Sequence, residues 1–180
     1  MPGFFLILRH AELAIRLSSA HPAMDPKDAY LHAQAAVRAA SDRVKPELLL
    51  AIAYTESKFD AFALSRVEGS KRRVGRWESQ EPPKRLRKGA SMFCGPLQTR
   101  ALTWEDCLAQ RDLLTAYKAG VKEIEEWLDN KYVHGNISRA LAGFGCGTQG
   151  AKSGHCSNAF QSRILAYARK IEAGHALPKS

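Results

Sequence analysis

The chain has 180 residues, a formal net charge of +9 and 45% hydrophobic residues. That length fits one domain of ordinary size, able to bury a core without cross-links, and the basic balance points to an anionic partner: nucleic acid, a membrane surface or an anionic cell-wall polymer. The apolar run Phe4-Phe5-Leu6-Ile7-Leu8 is too short to span a bilayer, and no small-residue cleavage site follows it, so no signal peptide is evident.

Taken in chain order, residues 4–19 have helical character. Met24-Asp25-Pro26 reads as a helix start, because Asp25 can cap and Pro26 suits the first helical position. The alanine-rich helix that follows runs to about Asp42. Lys45-Pro46 opens the next helix, whose apolar run Leu48-Leu49-Leu50-Ala51-Ile52-Ala53-Tyr54-Thr55 leads into Glu56. Residues 65–91 change character. Ser65–Arg73 is polar and strongly basic, and Pro82-Pro83-Lys84-Arg85 and Arg87-Lys88-Gly89 continue the stretch. Irregular sequence of this length inside a domain is often functional or mobile; a short hairpin fits around Val74–Trp77.

Helices resume after Cys94-Gly95-Pro96. Thr103 can cap 104–110. A long amphipathic helix covers 112–129, with Leu113, Ala116, Tyr117, Gly120, Val121, Ile124 and Leu128 at three-to-four spacing. Asn136 can cap 137–144, and Gly143-Phe144-Gly145-Cys146-Gly147 then breaks that helix. Ser157 opens a final helix that ends near Gly174. About seven helices and little strand give an all-α or α-rich class with a small β-hairpin or irregular insertion. No internal repeat is present. The chain reads as one domain over 1–180, with N-terminal helices in 1–43 and a basic insertion in 65–94.

Cys94, Cys107, Cys146 and Cys156 include no CxxC pair, which argues against a zinc ribbon or finger. Three pairings are open. The most local joins Cys94 to Cys107 and Cys146 to Cys156; the alternative is four free thiols in a cytosolic protein.

Glu56 carries the most chemistry. A carboxyl held against apolar walls resists ionisation, so its pKa rises and it can stay protonated near neutral pH. Such an acid in a cleft supplies the proton that the leaving oxygen of a glycosidic bond requires. The plainer reading is a helix that ends on a solvated glutamate. Two carboxylates commonly share this work. Asp60 would share the face of Glu56 only if the helix continued past it, and Glu68, Glu78 and Glu81 read as solvated loop charges. With one carboxylate, the substrate must supply part of the mechanism.

Three segments stand in order: Glu56-Ser57-Lys58-Phe59-Asp60, then Gly95-Pro96-Leu97-Gln98-Thr99, then Ala142-Gly143-Phe144-Gly145-Cys146-Gly147. Together they resemble the lysozyme-like domain of soluble lytic transglycosylases and goose-type lysozymes, over roughly residues 44–172. The resemblance implies a lysozyme-like all-α fold and cleavage of peptidoglycan between N-acetylmuramyl and N-acetylglucosaminyl units. It makes Glu56 the catalytic acid and base. Ser57 would orient Glu56 or contact substrate, Gln98 would hydrogen-bond a sugar, and Gly95 would let the backbone approach the glycan. Phe144 stands where the family has a tyrosine, and Gly145 where it has an asparagine; a phenylalanine stacks on sugar but donates no hydrogen bond. Trp77, in the basic insertion, is a further candidate to line the glycan cleft.

The expected partners are peptidoglycan glycan strands and, through the basic insertion, an anionic envelope surface. No cofactor, metal or specific nucleic acid is expected. The chain is expected to act as a monomer in the periplasm, outside the cell, or as part of a phage lysis system. Tyr117, Trp104, Trp127 and Tyr132 read as core, and His134 and His155 as isolated histidines. With the muramyl 6-hydroxyl closing on the anomeric carbon, the expected activity is that of a lytic transglycosylase giving a 1,6-anhydro product; the alternatives are a muramidase that hydrolyses the same bond, a nucleic-acid-binding module using the basic insertion and Trp77, and a non-catalytic wall-binding domain.

Overall fold

The computed structural model describes residues 2–68, 71–84 and 91–178. It is helix-rich, with seven helices and one four-stranded antiparallel sheet among the described residues. The elements run α1 (Pro2–Ala20), α2 (Pro26–Ala39), α3 (Pro46–Ser57), β1 (Ala63–Glu68), β2 (Lys71–Arg76), β3 (Met92–Cys94), β4 (Thr99–Ala101), α4 (Trp104–Ala109), α5 (Leu113–Leu128), α6 (Ile137–Ser153) and α7 (Phe160–Ala173). None of these helices is long and apolar enough to cross a membrane.

Helix α3 is the axis of the helical lobe. Residues Leu48 to Tyr54 are buried without a break. A helix that is apolar all round belongs in a core, and α3 is covered by α2, α5 and α7. Around it, α1 packs on α2 and α7, and α5 packs on α2 and α6. The expected caps form. Asp25 Oδ1 accepts from Lys27 N–H at 2.7 Å, Thr103 Oγ1 from Asp106 N–H at 3.1 Å, and Asn136 Oδ1 from Arg139 N–H at 3.0 Å.

The sheet lobe is larger than a single hairpin. Its strands order β2-β1-β3-β4, with β1 and β2 forming a hairpin and β1 also pairing β3, Leu64 opposite Cys94. Its small core of Leu64, Met92, Cys94, Ala101 and Cys107 is capped by Trp77 and Trp104. A Cys94–Cys107 disulfide ties β3 to α4, and a second joins Cys146 to Cys156. These are the local pairings.

Three helix boundaries differ from the sequence reading. Helix α2 ends at Ala39 rather than near Asp42, because Ala40 leaves the helical conformation with a ψ of 151°. Helix α6 does not end in its glycine run: it continues to Ser153 across a kink at Gly147, whose φ of 64° and ψ of −156° absorb the break. Helix α7 starts at Phe160 rather than Ser157. Cys156 is held by its disulfide, Ala159 takes a left-handed φ of 54°, and Asn158 Oδ1 accepts from Phe160 N–H at 3.1 Å. The side chains of Glu68 and Lys71-Arg72-Arg73, and all of Arg85 and Arg87-Lys88-Gly89, lie outside the described residues.

A buried histidine joins α2 to α5. His32 is 5% exposed, and its Nδ1 and the Tyr117 hydroxyl are hydrogen-bonded at 2.9 Å. Burial lowers its pKa to about 4 from an ordinary 6.5, against a smaller upward pull from a backbone hydrogen bond at Phe59. Between pH 6.5 and about 4 the unfolded chain therefore binds a proton at His32 that the folded chain refuses, so stability falls as pH falls through that window. The expected loss is about 1.4 kcal/mol per pH unit. A His32→Gln variant, which keeps a partner for Tyr117, should lose stability less steeply over the same range. Urea midpoints measured across that range would check this, and parallel slopes for the two proteins would contradict it.

Candidate active site

The site is built where α3 stops. Lys58 and Phe59 both take left-handed backbone conformations, with φ of 58° and 69°. Non-glycine residues rarely do so, and two in succession reverse the chain abruptly. The reversal satisfies the last carbonyls of the helix: Lys58 N–H donates to Tyr54 O and Phe59 N–H to Ala53 O, each at 3.2 Å. Phe59 is 5% exposed. Its ring packs against His32, His21 and Tyr54, with centroids 5.0, 6.0 and 6.0 Å away. That anchor offsets the backbone strain.

Ser57 ties this helix end to the sheet lobe. Its hydroxyl donates to Pro96 O at 2.8 Å and accepts from Asp60 N–H at 3.1 Å. The segment it grips, Gly95-Pro96-Leu97-Gln98, is buried throughout. Leu97 is fully buried and plugs into α5 at Gly120, where a Cβ would fall 2.4 Å from Leu97 Cδ2. Burying one leucine contributes about 2 kcal/mol. Gln98 takes a φ of 52° and is 1% exposed. Its Nε2 donates to Ala63 O and Gly95 O at 3.1 and 3.0 Å, and its Oε1 accepts from Ser65 Oγ at 2.8 Å.

These contacts correct three expectations. Gln98 does not present its amide to a sugar, because both ends of that amide are used inside the protein. Gly95 does not bring the backbone to a glycan. Its open side faces Gln110, whose carbonyl oxygen would lie 2.7 Å from a Cβ, at a φ of 69° that itself favours glycine. Ser57 is a strut between lobes rather than a substrate contact.

Glu56 sits one residue before the end of α3, half-buried, beside this junction. The helix stops before Asp60 could share its face. Asp60 instead accepts from Arg76 Nη1 at 2.6 Å and from Phe62 N–H at 2.9 Å. Glu78 accepts from Arg76 Nε at 2.6 Å and is largely exposed, as is Glu81. On the other flank, Lys58 lays its ammonium over the Tyr54 ring, 3.7 Å from the centroid. Partial burial, and then the neighbouring Arg163 charge, lower the Lys58 pKa.

Two aromatic candidates are structural in part. Trp77 caps the small sheet core, and its indole N–H donates to Glu81 O at 2.9 Å, so it serves the sheet lobe rather than standing free in the insertion. Phe144 is half-buried and stacks on Phe160, with centroids 6.4 Å apart and planes 13° apart. The sequence reading missed the bracing role of Arg111. It donates to Trp77 O and Ser79 O at 2.6 and 2.8 Å, clamping the irregular segment after β2 to the turn before α5. Nothing in its local sequence marks it, since its acceptors are main-chain atoms more than thirty positions away. Among the described residues, no group of three or more His, Cys, Asp or Glu side chains is arranged to hold a metal ion.

No family model matches the chain, and no curated protein or solved structure is detectably similar to it.

A Gly95→Ala variant should lose about 3 kcal/mol or more, combining left-handed strain with the clash against Gln110. Gly135 also has a left-handed φ, 74°, but open space around its Cβ position. Gly135→Ala should cost only about 1 to 2 kcal/mol. Chemical denaturation of the two variants would check the ranking; equal losses would mean that the Gln110 contact does not confine Gly95.

Proposed function

We propose that the chain cleaves peptidoglycan glycan strands between N-acetylmuramyl and N-acetylglucosaminyl units as a lytic transglycosylase, with Glu56 as its acid and base. The observation that carries this reading is the position of Glu56: a half-buried carboxyl on the last turn of a helix whose Leu48–Tyr54 run is buried without a break, at the junction with a small antiparallel sheet. The ordered segments around Glu56, Gly95–Gln98 and Phe144 support the same reading, as a lysozyme-like domain.

The chemistry follows from one carboxyl acting twice. Protonated Glu56 gives its proton to the bridging oxygen as the bond from the muramyl C1 to that oxygen breaks. The electron pair leaves with the oxygen, and positive charge develops on C1 and the ring oxygen. The Glu56 carboxylate then takes the proton of the muramyl 6-hydroxyl as O6 bonds to C1. The product is a 1,6-anhydro sugar, the enzyme is restored, and no water is consumed. Asp60, bonded to Arg76, is committed to the fold and does not serve as a second catalytic carboxylate.

Two further features fit a cell-wall enzyme. Both disulfides accord with work outside the reducing cytosol, in the periplasm or beyond the cell. The net charge of +9 suits an anionic envelope.

Purified protein should clear suspensions of isolated peptidoglycan. Glu56→Gln should reduce the clearing rate by about a hundredfold or more, the contribution typical of general acid–base catalysis, while the melting temperature and circular dichroism stay unchanged. A variant that clears at the wild-type rate would refute the assignment. Salt-sensitive binding to DNA, unchanged by Glu56→Gln and unaccompanied by clearing, would favour a nucleic-acid-binding module instead.

A further inference from the structure

Trp127 lies near the C-terminal end of α5, where its spacing reads as core. It packs on the helical core but is only half-buried. One side of its indole rests on α6 at Gly143, where a Cβ would fall 2.5 Å from Trp127 Cε3. Glycine at that position lets the ring lie close against the helix and holds it there. The ring also lines a groove of about 670 Å³ between α5 and the segment formed by β4 and α4. That volume is in the range of small-ligand sites. Neither Glu56, Ser57 nor Pro96 lines it.

The indole N–H groups of the three tryptophans differ. Trp77 donates to Glu81 O at 2.9 Å and Trp104 to Gln80 O at 2.7 Å. Trp127, which lines the groove, makes no such hydrogen bond within the described residues. Around it the groove mixes charge. Arg100 and Lys122 stand with Asp106, Glu123 and Glu126, and Asn130 closes one end. A wall of one sign would select a phosphate chain or a polycation; this one does neither. An aromatic face edged by planar donors and acceptors suits a neutral pyranose. The sugar's C–H face lies on the ring, and its hydroxyl and acetamido groups both give and take hydrogen bonds.

We propose that this groove binds a run of neutral acetamido-sugars, with Trp127 as its stacking platform, and grips the polymer at a place other than Glu56. The proposal rests on the peptidoglycan reading for the identity of the polymer, but it stands on its own groove. Two sites on one strand would hold the chain to its substrate between cuts.

The test uses full-length Glu56→Gln protein, isotope-labelled at nitrogen and titrated with chitotetraose while the three indole N–H signals are followed. The Trp127 signal should shift saturably, and those of Trp77 and Trp104 should hold still. Trp127→Phe should weaken binding about tenfold, the loss of one good stacking contact. Ala119→Trp, which fills the groove floor and leaves Trp127 in place, should weaken it by at least as much at an unchanged melting temperature. A silent Trp127, a shift confined to the other two tryptophans, or unchanged affinity in Ala119→Trp would overturn the proposal. Peptidoglycan clearing by the wild type alongside a silent Trp127 would remove the groove and leave Glu56 standing. A saturable Trp127 shift in a protein that never clears peptidoglycan would remove the catalytic reading and leave the groove.

Discussion

Everything at the candidate site depends on how α3 ends. A buried helix must stop somewhere, and its last carbonyls must be satisfied when it does. Here the stop is made by Lys58 and Phe59 in left-handed conformations, an arrangement usually left to glycine or asparagine. What holds it is packing and one cross-lobe bond. The Phe59 ring is set among His21, His32 and Tyr54, and Ser57 donates its hydroxyl to Pro96 O. Strain of this kind, of order 1–3 kcal/mol per residue, persists only where surroundings over-determine it. It lies immediately after the one carboxyl to which the chemistry is assigned.

The two lobes are joined through the same few atoms. Leu97 enters α5 at Gly120, Gln98 fastens β1 to the buried turn, and Ser57 binds that turn to α3. A displacement of the sheet lobe would therefore be felt at Glu56. His32 extends the network inward, since it touches both Phe59 and Tyr117 while remaining uncharged above a pH of about 4. The polar residues of the Gly95–Gln98 and Glu56–Ser57 segments are thus spent mostly on architecture. Glu56 stands half-buried beside them, one residue before the end of α3.

Much of the helical frame was legible in the sequence because each helix announces itself locally. Asp25-Pro26, Thr103 and Asn136 are start signals within their own segments, and the three-to-four spacing in α5 matches its buried face. The sheet was harder. Strands β3 and β4 have three residues each, too few for an alternation to be read, and they exist because β1 and the Cys94–Cys107 bridge hold them. Helix α6 ran past its glycines because a kink at Gly147 costs less than abandoning the turns beyond it, a balance set by packing rather than propensity. The site was legible as positions but not as roles. Gln98, Gly95 and Ser57 stand in the turn and helix end that frame Glu56, yet each faces a partner many positions away, and sequence spacing says nothing of where an amide or hydroxyl will find its acceptor.

The central claim is that Glu56 acts alone and that the muramyl 6-hydroxyl takes the place of water. Digestion of isolated peptidoglycan in heavy-oxygen water, followed by mass spectrometry of the soluble muropeptides, tests both halves at once. The account predicts anhydromuramyl ends that carry no heavy oxygen, released by the wild type and not by Glu56→Gln. Reducing ends that carry one heavy oxygen, or equal release by the variant, would contradict it.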